Sequence, residues 1–123
     1  MLLLSICNVE TGLKNINHYQ DHNGGSYGVA QVQLRTARGI DKHVDLLALQ
    51  SPEVNITIAA KYLKQLSKRY KTDREIIAAY NAGGVYYKNN ELINKKYVDS
   101  VIDSSYCFSD KLCFYNRKGN LIQ

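Results

Sequence analysis

Apolar residues at Leu3, Leu4, Ile6, Cys7 and Val9 bury much of a short helix, and Gly12, just past Glu10, supplies its natural stop. Glu10 then lies in the last turn. From Asn15 to Tyr27 the chain becomes polar and rich in Asn and Gly, the composition of a surface loop of the kind that carries function. A short helix is expected around Gln33 to Arg38. Ser51-Pro52-Glu53 combines an N-cap residue, a proline at the first helical position and an acid in the first turn. Val54, Ile58, Ala59, Tyr62, Leu63 and Leu66 continue that helix at helical spacing, with Lys61, Lys64, Lys68 and Arg69 on its polar side. Thr72-Asp73-Arg74-Glu75 has capping-box spacing and opens a helix through Ile76, Ile77, Ala79 and Tyr80, which Gly83-Gly84 ends. After a Tyr- and Asn-rich loop, Lys95 to Asp103 forms a last helix with Tyr97, Val98, Val101 and Ile102 inward. The tail, Ser104 to Gln123, alternates, is aromatic and contains a Lys118-Gly119-Asn120 turn, so it is expected to make a small hairpin or lie along the body. The pattern describes an all-α domain with a polar loop between its first two helices.

Composition narrows the possibilities. A chain of 123 residues suits a single core, and with 45% apolar and 22% charged residues it can bury enough surface to fold. The net charge of +5 is spread along the chain and favours a polyanionic partner such as nucleic acid, anionic lipid or an acidic wall polymer. Ten Tyr and no Trp provide flat amphipathic rings for stacking on a sugar or base, though Tyr also fills cores. Cys107 and Cys113 either close a short disulfide loop or remain thiols, with Cys7 a buried thiol. The N-terminal apolar run is too short for a membrane span, has no basic leader and reaches Asn8 early, so no signal peptide is expected. Leu4-Ser5-Ile6-Cys7 is superficially like a lipoprotein processing site, but the apolar run before it is too short.

Three separated stretches stand in a family-like order: Val9-Glu10-Thr11-Gly12-Leu13, then Gly28-Val29-Ala30-Gln31-Val32-Gln33-Leu34-Arg35-Thr36-Ala37, then Ala78-Ala79-Tyr80-Asn81-Ala82-Gly83-Gly84. Leu49-Gln50-Ser51-Pro52-Glu53-Val54-Asn55-Ile56 with Tyr62-Leu63, and a late Tyr97-Val98, add two more matches. Across residues 5 to 103 the chain resembles the soluble lytic transglycosylase domain, a relative of goose-type lysozyme. The resemblance implies a mainly α, lysozyme-like catalytic domain over 1–103 with a glycan-binding groove, and the tail, 104–123, is expected to pack on the same domain. It implies cleavage of the β-1,4 bond between N-acetylmuramic acid and N-acetylglucosamine in peptidoglycan, leaving a 1,6-anhydromuramoyl end.

Glu10 matches the family's acid, which donates to the leaving oxygen and then takes a proton from the C6 hydroxyl. The substrate's own N-acetyl group acts as nucleophile in this family, and no second catalytic carboxylate stands out in the sequence. Glu10 must then be partly desolvated, with Leu13 and Val29 its expected apolar neighbours. Gln31 matches a substrate-binding glutamine near the cleaved bond. Tyr80 and Asn81 match the Ala-Tyr-Asn motif: Tyr80 is expected to hold the Glu10 carboxyl or the N-acetyl carbonyl, and Asn81 to bond substrate or cap its helix. Tyr97 is expected to line the groove, and Thr11 and Gln33 join the substrate-binding set. Thr11 replaces the usual Ser, Ala30 the usual Met and Leu34 the usual Pro; no residue of the His- and Asn-rich loop from Asn15 to Ser26 carries across.

Each of these residues has a plainer reading. Glu10 is otherwise a surface acid, Gln31 a partner for buried backbone groups, Tyr80 core and the basic helix side a solvated face. His18 and His22, with Asp21 between them, have metal-like i, i+4 spacing, but the segment reads as loop and a third ligand is missing. No metal or cofactor is therefore expected. The expected partner is the peptidoglycan glycan strand, with no nucleic acid, no membrane insertion and a monomeric state. A hydrolytic muramidase, or a non-catalytic wall-binding part of a virion or secretion machine, is the alternative. Action in the periplasm or extracellular wall, with no visible signal, implies phage delivery, a dedicated export machine or an N-terminus that is incomplete.

Overall fold

Residues 2–21 and 24–110 are described by a computed structural model, and they form six helices and two small antiparallel sheets. In order these are α1 (Leu2–Thr11), β1 (Asn17–His18), β2 (Ser26–Tyr27), β3 (Val32–Gln33), α2 (Leu34–Ile40), α3 (Leu46–Leu49), α4 (Pro52–Arg69), α5 (Asp73–Ala82), β4 (Tyr87–Lys88), β5 (Glu91–Leu92) and α6 (Lys95–Asp110). The mainly α architecture agrees with the apolar spacing. Among the described residues, no helix is long and apolar enough to cross a membrane.

The core has two parts. Ile6, Leu63, Leu66, Ile76, Ile77, Val98 and Val101 join α1, α4, α5 and α6, while Cys7, Tyr27, Val29, Val32, Leu49 and Ile58 join α1 and α4 to the sheet and the short helices. Each fully buried Leu, Ile or Val contributes about 1.5–3 kcal/mol. Neighbouring residues of α1 feed different parts, so the end of α1 that carries Glu10 lies where the two parts meet. This wedge position also explains one departure from the apolar spacing. Leu4, expected inward, is 40% exposed and shares its row with exposed Asn8, whereas Ser5 is fully buried.

Local chemistry accounts for most element ends. Thr72 Oγ1 accepts from the Glu75 amide at 3.2 Å and donates to Glu75 Oε1 at 2.8 Å, so the box closes through the hydroxyl. Gly83 ends α5 at φ +77°, and its N–H returns to the Ala79 carbonyl. Two hairpins occupy segments that read as loop. Asn89 and Asn90, at φ +54° and +65°, form the two-residue turn that pairs Tyr87 with Leu92, a conformation Asn tolerates better than most residues. In the 15–27 loop, Asn17 pairs with Tyr27 and His18 with Ser26. Helix α6 also continues past its expected end at Asp103 to Asp110, because Ser104-Ser105-Tyr106-Cys107 contains neither Gly nor Pro. Ser104 on that extension accepts a hydrogen bond from Asn8 at 3.1 Å. The expected tail turn at Lys118-Gly119-Asn120 and any pairing with Cys113 lie outside the described residues.

One buried amide fixes the segment leading into the sheet. Asn55 is fully buried; its Oδ1 accepts from the Ala30 N–H at 2.9 Å, and its Nδ2 donates to the carbonyls of Tyr27 (2.7 Å) and Leu49 (3.0 Å). A Cβ on Gly28 would come within 2.5 Å of this amide, and φ there is +76°, so only glycine fits. Asn55→Ala strands three buried backbone groups and is expected to lower stability by roughly 2–4 kcal/mol in urea unfolding. A loss under about 1 kcal/mol would contradict that role.

Candidate active site

Glu10 lies one residue before the end of α1, which stops at Thr11 because the two residues after it leave helical space: Gly12 at φ +65° and Leu13 at φ +66° turn the chain sharply, with the Gly12 N–H bonded to the Asn8 carbonyl at 2.8 Å. The Glu10 side chain opens into a groove of about 560 Å³ lined also by Asp21, Gln31, Gln33, Tyr62, Tyr80 and Asn81. Burial raises the Glu10 pKa to about 7, and the charge of Asp21 pushes the same way, while His18 and the Tyr97 hydroxyl pull it back. The carbonyl end of a helix also disfavours an anion. A carboxyl group poised in this way is half protonated near neutrality and can both give and take a proton.

The expected site residues separate into two groups. Gln31, Gln33, Tyr80 and Asn81 line the groove with Glu10; Thr11 and Tyr97 do not. Thr11 is buried, with its hydroxyl within reach of the carbonyls of Cys7 (3.1 Å) and Val29 (2.9 Å), where it ties α1 to the segment before the sheet. The hydroxyl of Tyr97 is buried and faces the Glu10 carboxyl, near enough to favour the anion slightly though short of a well-formed hydrogen bond. Burial and Glu10 push the Tyr97 phenol far above its ordinary range. Leu13 is 45% exposed, and neither it nor Val29 lines the groove; Val32 and Tyr62 supply apolar wall instead.

The groove residues are held by their own hydrogen bonds. Gln31 sits at φ +53° and its Nε2 donates to the carbonyls of Ile16 (2.8 Å) and Gly28 (2.9 Å). Oε1 therefore accepts from His18 Nδ1, which must carry a proton for this bond. With both amide hydrogens engaged, Gln31 meets a ligand only as an acceptor. The Tyr80 hydroxyl donates to the Ala30 carbonyl at 2.7 Å rather than to Glu10, and its ring packs 5.5 Å from that of Tyr62. Burial raises the Tyr80 pKa well above normal and keeps the phenol neutral. Asn81 does not cap its helix: its Oδ1 accepts from Asn94 at 2.9 Å, which leaves its NH₂ for the groove.

Asp21, Ser26, Thr36 and Tyr62 are groove residues that motif matching did not assign to the site. Tyr62 reads as a core position because it keeps the helical period, and Asp21 stands out in sequence only by its place between two histidines. Cys7, one turn before Glu10, is buried, and burial raises its thiol to about 11, so it stays an unreactive thiol. Among the described residues, no cluster of His, Cys, Asp and Glu is placed to hold a metal; His22 lies outside them. The arrangement is a carboxyl raised to about 7, with the Asp21 side chain in the same groove of amides, hydroxyls and two tyrosine rings, suited to acid–base work on a polyhydroxylated chain.

A family model described as Transglycosylase SLT domain matches residues 1–102. No curated protein and no solved structure matches the chain.

Proposed function

The chain belongs to the transglycosylase SLT domain family, and from that premise we propose that it is a peptidoglycan lytic transglycosylase in which Glu10 is the only acid–base group. The observation that carries this reading is the Glu10 carboxyl, raised to about 7 at the wall of a groove of about 560 Å³. Protonated Glu10 gives its proton to the glycosidic oxygen as the bond between muramic C1 and that oxygen breaks. The carbonyl oxygen of the muramic N-acetyl group closes on C1. Ionised Glu10 then removes the proton of the C6 hydroxyl, whose oxygen displaces the N-acetyl oxygen and leaves the 1,6-anhydro ring. Water is not consumed and Glu10 ends as it began.

The amides of Gln31, Gln33 and Asn81 would bond sugar hydroxyls and N-acetyl groups, and the rings of Tyr62 and Tyr80 offer flat faces to sugar carbons. A net charge of +5 favours approach to an anionic wall polymer. The site of action under this reading is the cell wall, in the periplasm or outside the cell.

Asp21 favours a second reading, because a second carboxylate in the groove is what a hydrolase uses to activate water. Mass spectrometry of digested peptidoglycan separates the two. Lytic cleavage yields anhydromuramoyl ends; muropeptides that all carry reducing ends overturn it. A wild-type protein that binds wall and releases no fragments would instead indicate a non-catalytic binding component.

A further inference from the structure

Asp21 is held in place by the backbone that follows β1. Its N–H donates to the His18 carbonyl at 3.3 Å, and its own carbonyl accepts from Gly25 at 3.1 Å, closing the turn that follows β1. Gly25 sits at φ +100°, where a Cβ would fall 2.8 Å from the Tyr27 hydroxyl and 2.9 Å from the His18 carbonyl, so only glycine fits at this position. The Tyr27 hydroxyl clamps it from the other side by donating to the Gly24 carbonyl at 2.6 Å, and Tyr19 packs edge-on against the same ring. The side chain this turn delivers is an exposed aspartate in the wall of the groove that also contains Glu10.

Among the described residues, five titratable groups face Glu10: Cys7 from α1, Tyr80 from α5, Tyr97 from α6, His18 from β1 and Asp21 from the segment after it. Burial keeps the first three neutral through the neutral range. His18 is engaged with Gln31 and opposes proton uptake by Glu10 when it is charged. Among the described residues, Asp21 is the acidic side chain that lines the groove with Glu10.

We propose that Asp21 is a positioning residue of the reaction: its fixed negative charge in the groove wall holds the Glu10 carboxyl in the protonated form that donates to the glycosidic oxygen. Asp21 works through Glu10 and need not touch the breaking bond. This role rests on the acid–base reading of Glu10. It also provides a way for a family member with a single acid to keep that acid loaded where burial is incomplete.

The test follows the Glu10 carboxyl carbon by NMR in protein labelled with ¹³C-glutamate, its signal assigned by its loss in Glu10→Gln, alongside the pH profile of fragment release. Asp21→Asn is expected to move the Glu10 midpoint and the alkaline limb of kcat/KM down together by about half to one pH unit. Asp21→Glu should return both. In about 1 M sodium chloride, where screening acts within about 3 Å, the wild-type midpoint should fall toward that of Asp21→Asn. The salt titration needs no variant to fold. A Glu10 midpoint unmoved by both Asp21→Asn and salt overturns the proposal. So does a change from reducing to anhydro products in Asp21→Asn with the midpoint unmoved, which would make Asp21 a base acting on water. Wild-type protein that releases no fragments removes the enzymatic reading instead, and the NMR midpoint still reports on Asp21.

Discussion

Glu10→Gln is expected to lower release of soluble fragments from peptidoglycan on the order of a thousandfold, the scale of a lost general acid. Glutamine has nearly the shape of the protonated acid, keeps the polar contact with the groove and cannot donate the proton that the leaving oxygen needs. The same variant should be more stable than the wild type in alkaline solution. Glu10 titrates at about 7 in the folded chain against 4.5 ordinarily. Below 4.5 both folded and unfolded chains hold the proton and the group makes no difference. As pH rises between the two values the unfolded chain ionises first, and the folded chain loses stability until its own carboxyl has ionised. At about pH 8 the full cost of the buried anion is present, and Glu10→Gln avoids it, a gain of roughly 2–3 kcal/mol in urea unfolding. At about pH 4 the gain should vanish. Retained activity, or a loss of stability in alkaline solution, would contradict the assignment.

The second large effect is the pH profile of the wild type. If the protonated carboxyl starts the reaction, kcat/KM follows its protonated fraction, about one half at pH 7 and about one hundredth at pH 9, a fall of about fiftyfold. The sign is fixed by the chemistry: raising pH removes the proton to be donated, so the alkaline side is the side that fails. An ordinary glutamate would place the same limb near 4.5 and leave little activity at neutrality. Initial rates of turbidity loss across roughly pH 5 to 9, at constant ionic strength, distinguish these outcomes. A rate that does not change between about pH 6 and 9 would show that Glu10 is not the donor.

Some features are legible in the sequence because they are local. The capping box at Thr72 and Glu75, the proline-led start of α4 and the glycine stops after Glu10 and Ala82 depend on residues within a turn or two of one another, and all occur where expected. The hairpins leave no such mark, since strands of two residues hold no alternating pattern. Ser104 to Asp110 reads as tail for its aromatic residues, although continuation of a helix requires only that nothing stops it.

The chain's order of apolar and polar residues, with its short motifs, determined a mainly α domain and put one glutamate at the end of its first helix. That much follows from backbone geometry and nearest neighbours. Tertiary structure decided which side chains share a groove with Glu10. They come from α1, α2, α4, α5, the sheet and its loops, and meet because the two parts of the core pack against α1 and α4. It brought in Asp21 and Tyr62, removed Thr11 from the groove wall and turned the Tyr80 hydroxyl toward Ala30. It also set the proton affinity of Glu10, because burial and the charge of Asp21 are properties of the folded surroundings rather than of the residues beside Glu10 in the chain.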